Sequence, residues 1–182
     1  MIQEEVFAKV ISALEKAGAD YMITGSVASI RYGKPRVTHD IDMVIVFKKT
    51  QLKKLFEELK DEFNIDEAVV EDMVRSAGMF TLVHSSTGLK LDCWCLKETE
   101  YNITSFNRRK KVNFAGTQAY FSTPEDVILS KLLWYKQGAS ARHFEDIKGI
   151  IDMQTELDFR YIEKWVEELG VMDIWNTLIK EK

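Results

Sequence analysis

Residues that cross-link or interrupt a chain are scarce in this 182-residue sequence: it has two cysteines and two prolines. The cysteines, Cys93 and Cys95, stand two apart. In an extended strand they point the same way, a geometry poor for a mutual disulfide. No second cysteine pair or nearby histidine completes a zinc set, so two buried, reduced thiols are expected. No apolar stretch approaches the roughly 20 residues that a bilayer crossing needs. No signal-peptide pattern opens the chain either, because Gln3, Glu4 and Glu5 precede a short amphipathic run. A soluble, cytoplasmic protein is the expectation. A basic excess is also missing. The net charge is -4, with residues 1–122 balanced and residues 123–182 carrying the acidic surplus. Proteins that coat nucleic acid are usually more basic. The one local exception, Arg108-Arg109-Lys110-Lys111, reads as a solvated charge run or as a contact for RNA phosphates.

What is present is an ordinary globular balance, 46% hydrophobic and 30% charged, enough apolar content for a real core. Apolar spacing at Ile2, Val6, Val10, Ile11 and Leu14 predicts an amphipathic helix over 2–17, stopped by Gly18. Tyr21-Met22-Ile23 is a short buried strand ending at Thr24-Gly25-Ser26, and a helix follows from Val27 to Tyr32 until Gly33-Lys34-Pro35 breaks it. Residues 39–47 form a strand that is apolar on both faces after Asp42, hence central in its sheet. A helix over 50–61 places Leu52, Leu55, Phe56 and Leu59 on one face. Residues 64–76 are ambiguous. Met79–His84 and Leu89–Leu96 read as a hairpin around Ser85-Ser86-Thr87-Gly88, and 111–114 with 118–121 as another. Thr123-Pro124-Glu125-Asp126 then gives an N-cap, a proline at the first helical position and acids in the first turn. Helices are expected near 124–137, 142–153, 158–168 and 171–180. The fold class is α/β (α+β): a small mixed sheet with flanking helices over 1–122, then a helical extension over 123–182 packed on it.

Three acids carry the chemistry. Asp40 and Asp42 are two apart in a strand, so both carboxylates leave one face with Cα atoms about 6–7 Å apart. They sit at the mouth of a strand that is otherwise buried, where they need a cationic counterpart. Metal ions would serve, and carboxylate oxygens suit Mg²⁺, which usually keeps substrate phosphates among its ligands. The alternative is pairing with Arg31, Lys34 or Arg36. Asp92 alternates with Leu89, Leu91 and Cys93 and therefore leaves the opposite face of its strand. If that strand lies beside the Asp40 strand, the carboxylates converge and repel one another without cations. Two metals about 3.5–4 Å apart would relieve that repulsion and stabilise the attacking and leaving oxygens of a phosphoryl displacement. Gly25 and Ser26 stand where a strand meets a helix N-terminus, a place that favours a bound anion.

Taken together, Gly25-Ser26, a gap, Asp40-Ile41-Asp42 and a later Asp92 resemble the DNA polymerase β-type nucleotidyltransferase superfamily. The segment Tyr32-Gly33-Lys34-Pro35-Arg36-Val37-Thr38-His39-Asp40-Ile41-Asp42 is similar to the bacterial and archaeal branch related to AbiEii-type toxins and minimal nucleotidyltransferases. So is Ser140-Ala141-Arg142-His143-Phe144-Glu145-Asp146-Ile147. The resemblance implies that Asp40 and Asp42 bind two Mg²⁺ ions. It implies that Asp92 binds one of them and helps deprotonate an acceptor hydroxyl, and that Gly25 and Ser26 hold an NTP's triphosphate. It also implies that Lys131 reaches the triphosphate, whereas its spacing alone fits a lysine that snorkels to water.

Several residues are left with two readings. Arg36 and Thr38 lie in the loop before the acid pair, where a nucleotide would be covered. Arg36 is a candidate phosphate contact or a solvated loop arginine. Arg142 and Asp146, four apart on a helix, read as a surface ion pair, while the resemblance suggests that they face substrate. His39 points away from Asp40, into packing or a hydrogen bond. His84 and His143 lack ligand partners at useful spacing. Trp134, Trp165 and Trp175 fit core or interface packing. The expected activity is transfer of an NMP to a hydroxyl on an RNA end, a protein or a small molecule, with a toxin-like or tRNA-modifying role implied by the resemblance. The alternative is a non-catalytic nucleotide-binding or partner-binding module. A homodimer or an antitoxin partner fits the acidic helical tail.

Overall fold

The computed structural model describes residues 4–138 and 140–180. Helix α1 (Glu4–Ala17) buries Phe7, Val10, Ile11 and Leu14 on one face; Ile2, counted with that face in the sequence, lies outside the described residues. Gly18 adopts a φ of +67°, which turns the chain into strand β1 (Asp20–Ile23). Helix α2 (Gly25–Tyr32) follows, then β2 (Asp40–Val46) and α3 (Lys49–Leu59). The stretch that is ambiguous in the sequence resolves into a short strand β3 (Phe63–Asn64) and helix α4 (Glu67–Arg75), capped by the Asp66 carboxylate accepting from the Val69 N–H. Strands β4 (Met79–His84) and β5 (Lys90–Cys95) form the expected hairpin.

Helix α5 (Glu100–Asn107) is not anticipated by the sequence reading. It buries only Tyr101, Ser105 and Phe106, so its apolar periodicity is too weak to announce it. Strands β6 (Lys110–Phe114) and β7 (Thr117–Phe121) lead to α6 (Pro124–Gly138), α7 (Ala141–Met153), α8 (Phe159–Glu168) and α9 (Met172–Lys180).

The seven strands lie in the order β3-β4-β5-β2-β1-β7-β6, so β2 is central as its two-sided apolarity requires. The sheet is mixed. β2 runs antiparallel to β1 and parallel to β5, and β1 meets β7 in parallel at Ile23 and Phe121. One sheet face carries Tyr21, Ile23, Ile41, Met43, Ile45, Leu91, Cys93 and Phe121, each at most 2% exposed. Phe114 stacks edge-on against Phe7 and packs on Phe121, which fixes α1 over this face. The same continuous core takes in Val127, Leu132, Ile150 and Val166 from the later helices. Cys93 is buried and Cys95 half-buried, both are free thiols, and burial raises both pKa values. No described helix is long and apolar enough to cross a membrane.

The basic run is only partly solvated, with Lys110 and Lys111 exposed and Arg108 and Arg109 half-buried. Arg108 bonds the Asp126 carboxylate at 3.3 Å and Glu125 at 3.4 Å, and its guanidinium lies 3.8 Å from the centre of the Tyr161 ring. Arg109 bonds Asp20 at 3.0 Å and lies over Phe106, and Lys111 pairs with Glu15. The sequence could not show these partners, because each acid is remote in the chain.

Asp126 is the centre of this network. Its side chain is fully buried, and it accepts from Thr123 Oγ1 at 2.6 Å and from the Tyr161 hydroxyl at 2.7 Å as well as from Arg108. Burial raises its pKa even so. Arg108→Ala would leave that carboxylate without its cation. Because Arg108 is about a third exposed, the expected loss is about 1–3 kcal/mol, below the figure for a fully buried pair. Urea unfolding checks it. Adding Asp126→Asn to Arg108→Ala should recover part of the loss, and additive losses would refute the coupling.

Candidate active site

Two neighbouring strands deliver the three acids to one place. β2 and β5 are in register, with Asp42 directly beside Asp92 and Asp40 beside Lys90. Adjacent strands lie about 4.8 Å apart, so the Asp42 and Asp92 side chains leave the same sheet face as near neighbours. The strand adjacency that the sequence left conditional is therefore present. Thr38 donates from its hydroxyl to the Asp40 carboxylate, and Thr81 on β4 donates to Asp92 at 2.6 Å. Thr38 itself is buried.

Asp42 is held by the turn from β1 into α2. Its Oδ2 accepts the Ser26 N–H at 3.2 Å, and the Thr24 N–H bonds the Asp42 carbonyl at 2.9 Å. Gly25 adopts a φ of +60°, and a Cβ there would overlap the Asp42 carboxylate. The glycine is thus required by the protein's own acid. The structural pairing weighed for Asp40 and Asp42 is not found: among the described residues neither forms an ion pair with Arg31, Lys34 or Arg36. Burial, helped by the neighbouring Asp40 and Asp92 and opposed by the Ser26 N–H and Lys131, pushes the Asp42 pKa up to about 6.

The cations are held beside the acids by a different carboxylate. Asp146, whose side chain is 8% exposed, bonds Lys131 Nζ at 2.7 Å and both Nε and Nη2 of Arg36 at 3.1 Å. Arg36 also donates to Ser26 Oγ at 2.9 Å. The expected Arg142–Asp146 surface pair is replaced by this tertiary set. Lys131 is 2% exposed and does not snorkel. Burial lowers its pKa, opposed by the bond to Asp146. For Asp146, burial acts to raise the pKa, but the hydrogen bonds from Arg36 and Lys131 outweigh it and hold the carboxyl below its usual range.

Ser26, Asp40, Asp42 and Lys131 line an open cleft of about 620 Å³ whose other walls include Trp94, Trp134, Gln137, Arg142 and His143. Trp134 therefore borders the cleft, with the His143 ring 5.8 Å away, whereas Trp165 and Trp175 are buried in the core. His39 is exposed, just outside β2. His84 bonds Thr87 and packs on Phe63, remote in the sheet. The sequence reading missed Asp146 as a tertiary anchor and Trp94 and Trp134 as cleft walls. A tryptophan beside an acid in a strand was the only available signal. Among the described residues, no group of three His, Cys, Asp or Glu side chains is close enough to hold a metal unaided.

No family model matches the chain, and no curated protein sequence matches it. Solved structures do. A nucleotidyltransferase-like antigenic protein of Paracoccidioides brasiliensis superposes with a TM-score of 0.61 at 16% identity, over 96% of this chain and 91% of its own. ANT(2'')-Ia in complex with adenylyl-2''-tobramycin gives a TM-score of 0.62 at 16% identity, over 95% of this chain and 98% of its own. The lincosamide antibiotic adenylyltransferase LnuA, bound to lincomycin, gives 0.56 at 14%, over 84% and 99%. Likeness at such identities is likeness of fold, and the chain has a nucleotidyltransferase-like fold.

Two predictions follow from the Asp42 geometry. Gly25→Ala should destabilise the protein by about 1–3 kcal/mol, because a residue with a Cβ is strained at positive φ and must also push Asp42 aside; thermal unfolding checks this. Asp42→Asn should stabilise the metal-free protein. The folded pKa of Asp42 lies above its unfolded value of 3.8, so the folded state binds the proton more tightly. Ionising the group therefore removes stability as pH rises from about 4 to about 6. By linkage the variant should gain roughly 2–3 kcal/mol at pH 7 and almost nothing at pH 3.5. A stability difference independent of pH would refute it.

Proposed function

We propose that the protein is a Mg²⁺-dependent nucleotidyltransferase that moves an NMP from an NTP to a hydroxyl and releases pyrophosphate. The single observation that carries this reading is the largely buried Asp42, held without an ion-pair partner between Asp40 and Asp92 while Lys131 and Arg36 stand nearby on a separate anchor. The donor set fits Mg²⁺, which is commonly bound through one or two carboxylates plus substrate phosphates rather than by an all-protein cage. Asp40 and Asp42 would hold two ions and Asp92 would share one. The metal would neutralise charge on the phosphates and lower the pKa of the attacking hydroxyl.

The protein's own groups supply the rest. Ser26 at the start of α2, with Arg36 and Lys131, offers donors to the β- and γ-phosphates. Asp92 accepts the proton of the acceptor hydroxyl. The hydroxyl oxygen bonds to the α-phosphorus as the bond to the β-phosphate oxygen breaks, and the electron pair leaves with pyrophosphate. Positioning and charge neutralisation dominate such transfers. Arg108, Arg109 and Lys111 of the basic run that could have met RNA are paired within the fold, while Lys110 is exposed. That supports a small-molecule acceptor, as do the structures of ANT(2'')-Ia with adenylyl-2''-tobramycin and of LnuA with lincomycin. The AbiEii-like segments instead support a toxin-like or tRNA-modifying role.

Incubation with each α-labelled NTP, Mg²⁺ and separate pools of small hydroxylated metabolites, RNA and protein should transfer label into one pool with stoichiometric pyrophosphate. Asp40→Ala and Asp42→Ala should each lower the rate by roughly 10²–10³-fold, the scale expected for removing a charge-stabilising group from a transition state. Mg²⁺-dependent NTP binding that survives Asp42→Asn and yields no pyrophosphate would replace this reading with a non-catalytic binding module.

A further inference from the structure

Each of the three acids has one oxygen engaged by a neutral donor. The Thr38 hydroxyl donates to Asp40 Oδ1, the Ser26 N–H to Asp42 Oδ2 and the Thr81 hydroxyl to Asp92 Oδ1. Among the described residues, no lysine or arginine forms an ion pair with any of the three. A cationic partner would fix a carboxylate but cancel its charge. A hydroxyl or an amide fixes it and leaves the charge for an incoming cation. Asp92 depends most on its donor. Thr38 is buried and Asp42 is lodged against Gly25, whereas Asp92 is half-buried and Thr81 is an exposed residue of β4. Thr81 and Asp92 are directly opposed in the β4–β5 register. Their bond of 2.6 Å has the length of a hydroxyl bonded to an ionised carboxylate. The other acceptor within reach of Thr81, Met79 Sδ at 3.7 Å, is a thioether and a weak one. β4 and β2 flank β5 on opposite sides. An Oδ1 drawn toward β4 therefore leaves Oδ2 on the side of Asp42, the neighbour of Asp92 in the β2–β5 register. Without that bond, the broad χ2 of an aspartate would let like-charge repulsion turn the carboxylate away from Asp42.

We infer that Thr81 is a positioning residue, which holds Asp92 by one oxygen so that the other stays aimed at the cation it would share with Asp42. The inference rests on the nucleotidyltransferase reading. Thr81 acts through Asp92 and touches neither the ion nor the nucleotide. A carboxylate aimed beforehand has less rotamer freedom to lose when the ion arrives, and the hydrogen-bond partners of metal ligands set their orientation. A threonine kept only for the sheet would be there for its branched Cβ, which suits a strand and which valine shares. The two uses of Thr81 therefore part at the hydroxyl: the strand needs the branched carbon, and the ion needs the oxygen.

Mn²⁺ binding tests this without turnover. Free Mn²⁺ is read by electron paramagnetic resonance while the ion is titrated into the protein with an α,β-methylene NTP, whose P–C–P bridge cannot be cleaved; ATP, GTP, CTP and UTP analogues are each tried. The wild type should bind Mn²⁺ with at least one analogue. Thr81→Val should weaken one bound Mn²⁺ roughly 10–100-fold, the scale for losing a hydrogen-bond partner of a metal ligand, and leave the urea midpoint unchanged. Thr81→Ser, which keeps the hydroxyl, should restore most of the affinity. Unchanged Mn²⁺ affinity in Thr81→Val would overturn the positioning role, and if NMP transfer nevertheless slowed, Thr81 would be a contact for the acceptor instead. A loss that Thr81→Ser does not repair would also overturn it, because the branched carbon and not the oxygen would then be what matters. Wild-type protein that binds no Mn²⁺ with any analogue would remove the nucleotidyltransferase reading and this inference with it, whereas equal Mn²⁺ binding by wild type and Thr81→Val would remove only the role of Thr81.

Discussion

A carboxylate lodged against a backbone without a Cβ governs the cleft. Asp42 reaches over Gly25 to the Ser26 N–H, and that single contact ties the central strand to the first turn of α2. It fixes where the helix N-terminus points and where the acid sits. It also removes the acid from water with two other carboxylates nearby, which is why its pKa rises. The folded state thus holds a group that would be more stable neutral. Under the proposed Mg²⁺-dependent reaction, the charge that weakens the metal-free protein would strengthen the complex.

The second anchor is Asp146, and it works in the opposite sense. It is nearly buried but faces two cations, so its charge is favourable where that of Asp42 is not. Arg36 and Lys131 come from a loop and from α6, a long way apart in the chain, and a free loop arginine would have many rotamers to lose on meeting a phosphate. Bonding to Asp146 and Ser26 restricts Arg36 beforehand. The site therefore separates its charges: acids without ion pairs among the described residues on the sheet, and cations neutralised by Asp146 beside them.

Much of the fold was legible in the sequence because its period-2 and period-3.6 patterns are strong, as in β2 and α1. The acid pair was legible for the same reason, since alternation alone puts Asp40 and Asp42 on one face. What escaped the sequence was tertiary. Helix spacing assigned Asp146 to Arg142, but the nearer partners in space are 110 and 15 residues away. The run 108–111 looked solvated because its acids, Glu15, Asp20, Glu125 and Asp126, lie in other elements. Apolar spacing placed Trp134 in a core, since a helical pattern cannot distinguish a buried wall from the wall of a cleft. Helix α5 escaped because a helix that buries three residues carries little periodic signal.

These tertiary contacts bear on how the chain is divided. A boundary after residue 122 separates sheet from helices in the sequence, but the site does not respect it. The acids come from β2 and β5, while Lys131 comes from α6 and Asp146 from α7. The core is likewise continuous, with Leu129, Ile150 and Val166 in the same buried cluster as Ile41 and Leu55. A sheet without these helices would keep three mutually repelling carboxylates and lose the cations placed beside them. The helices supply half of the electrostatics of the cleft, so the smallest unit that holds the site together reaches at least through α7.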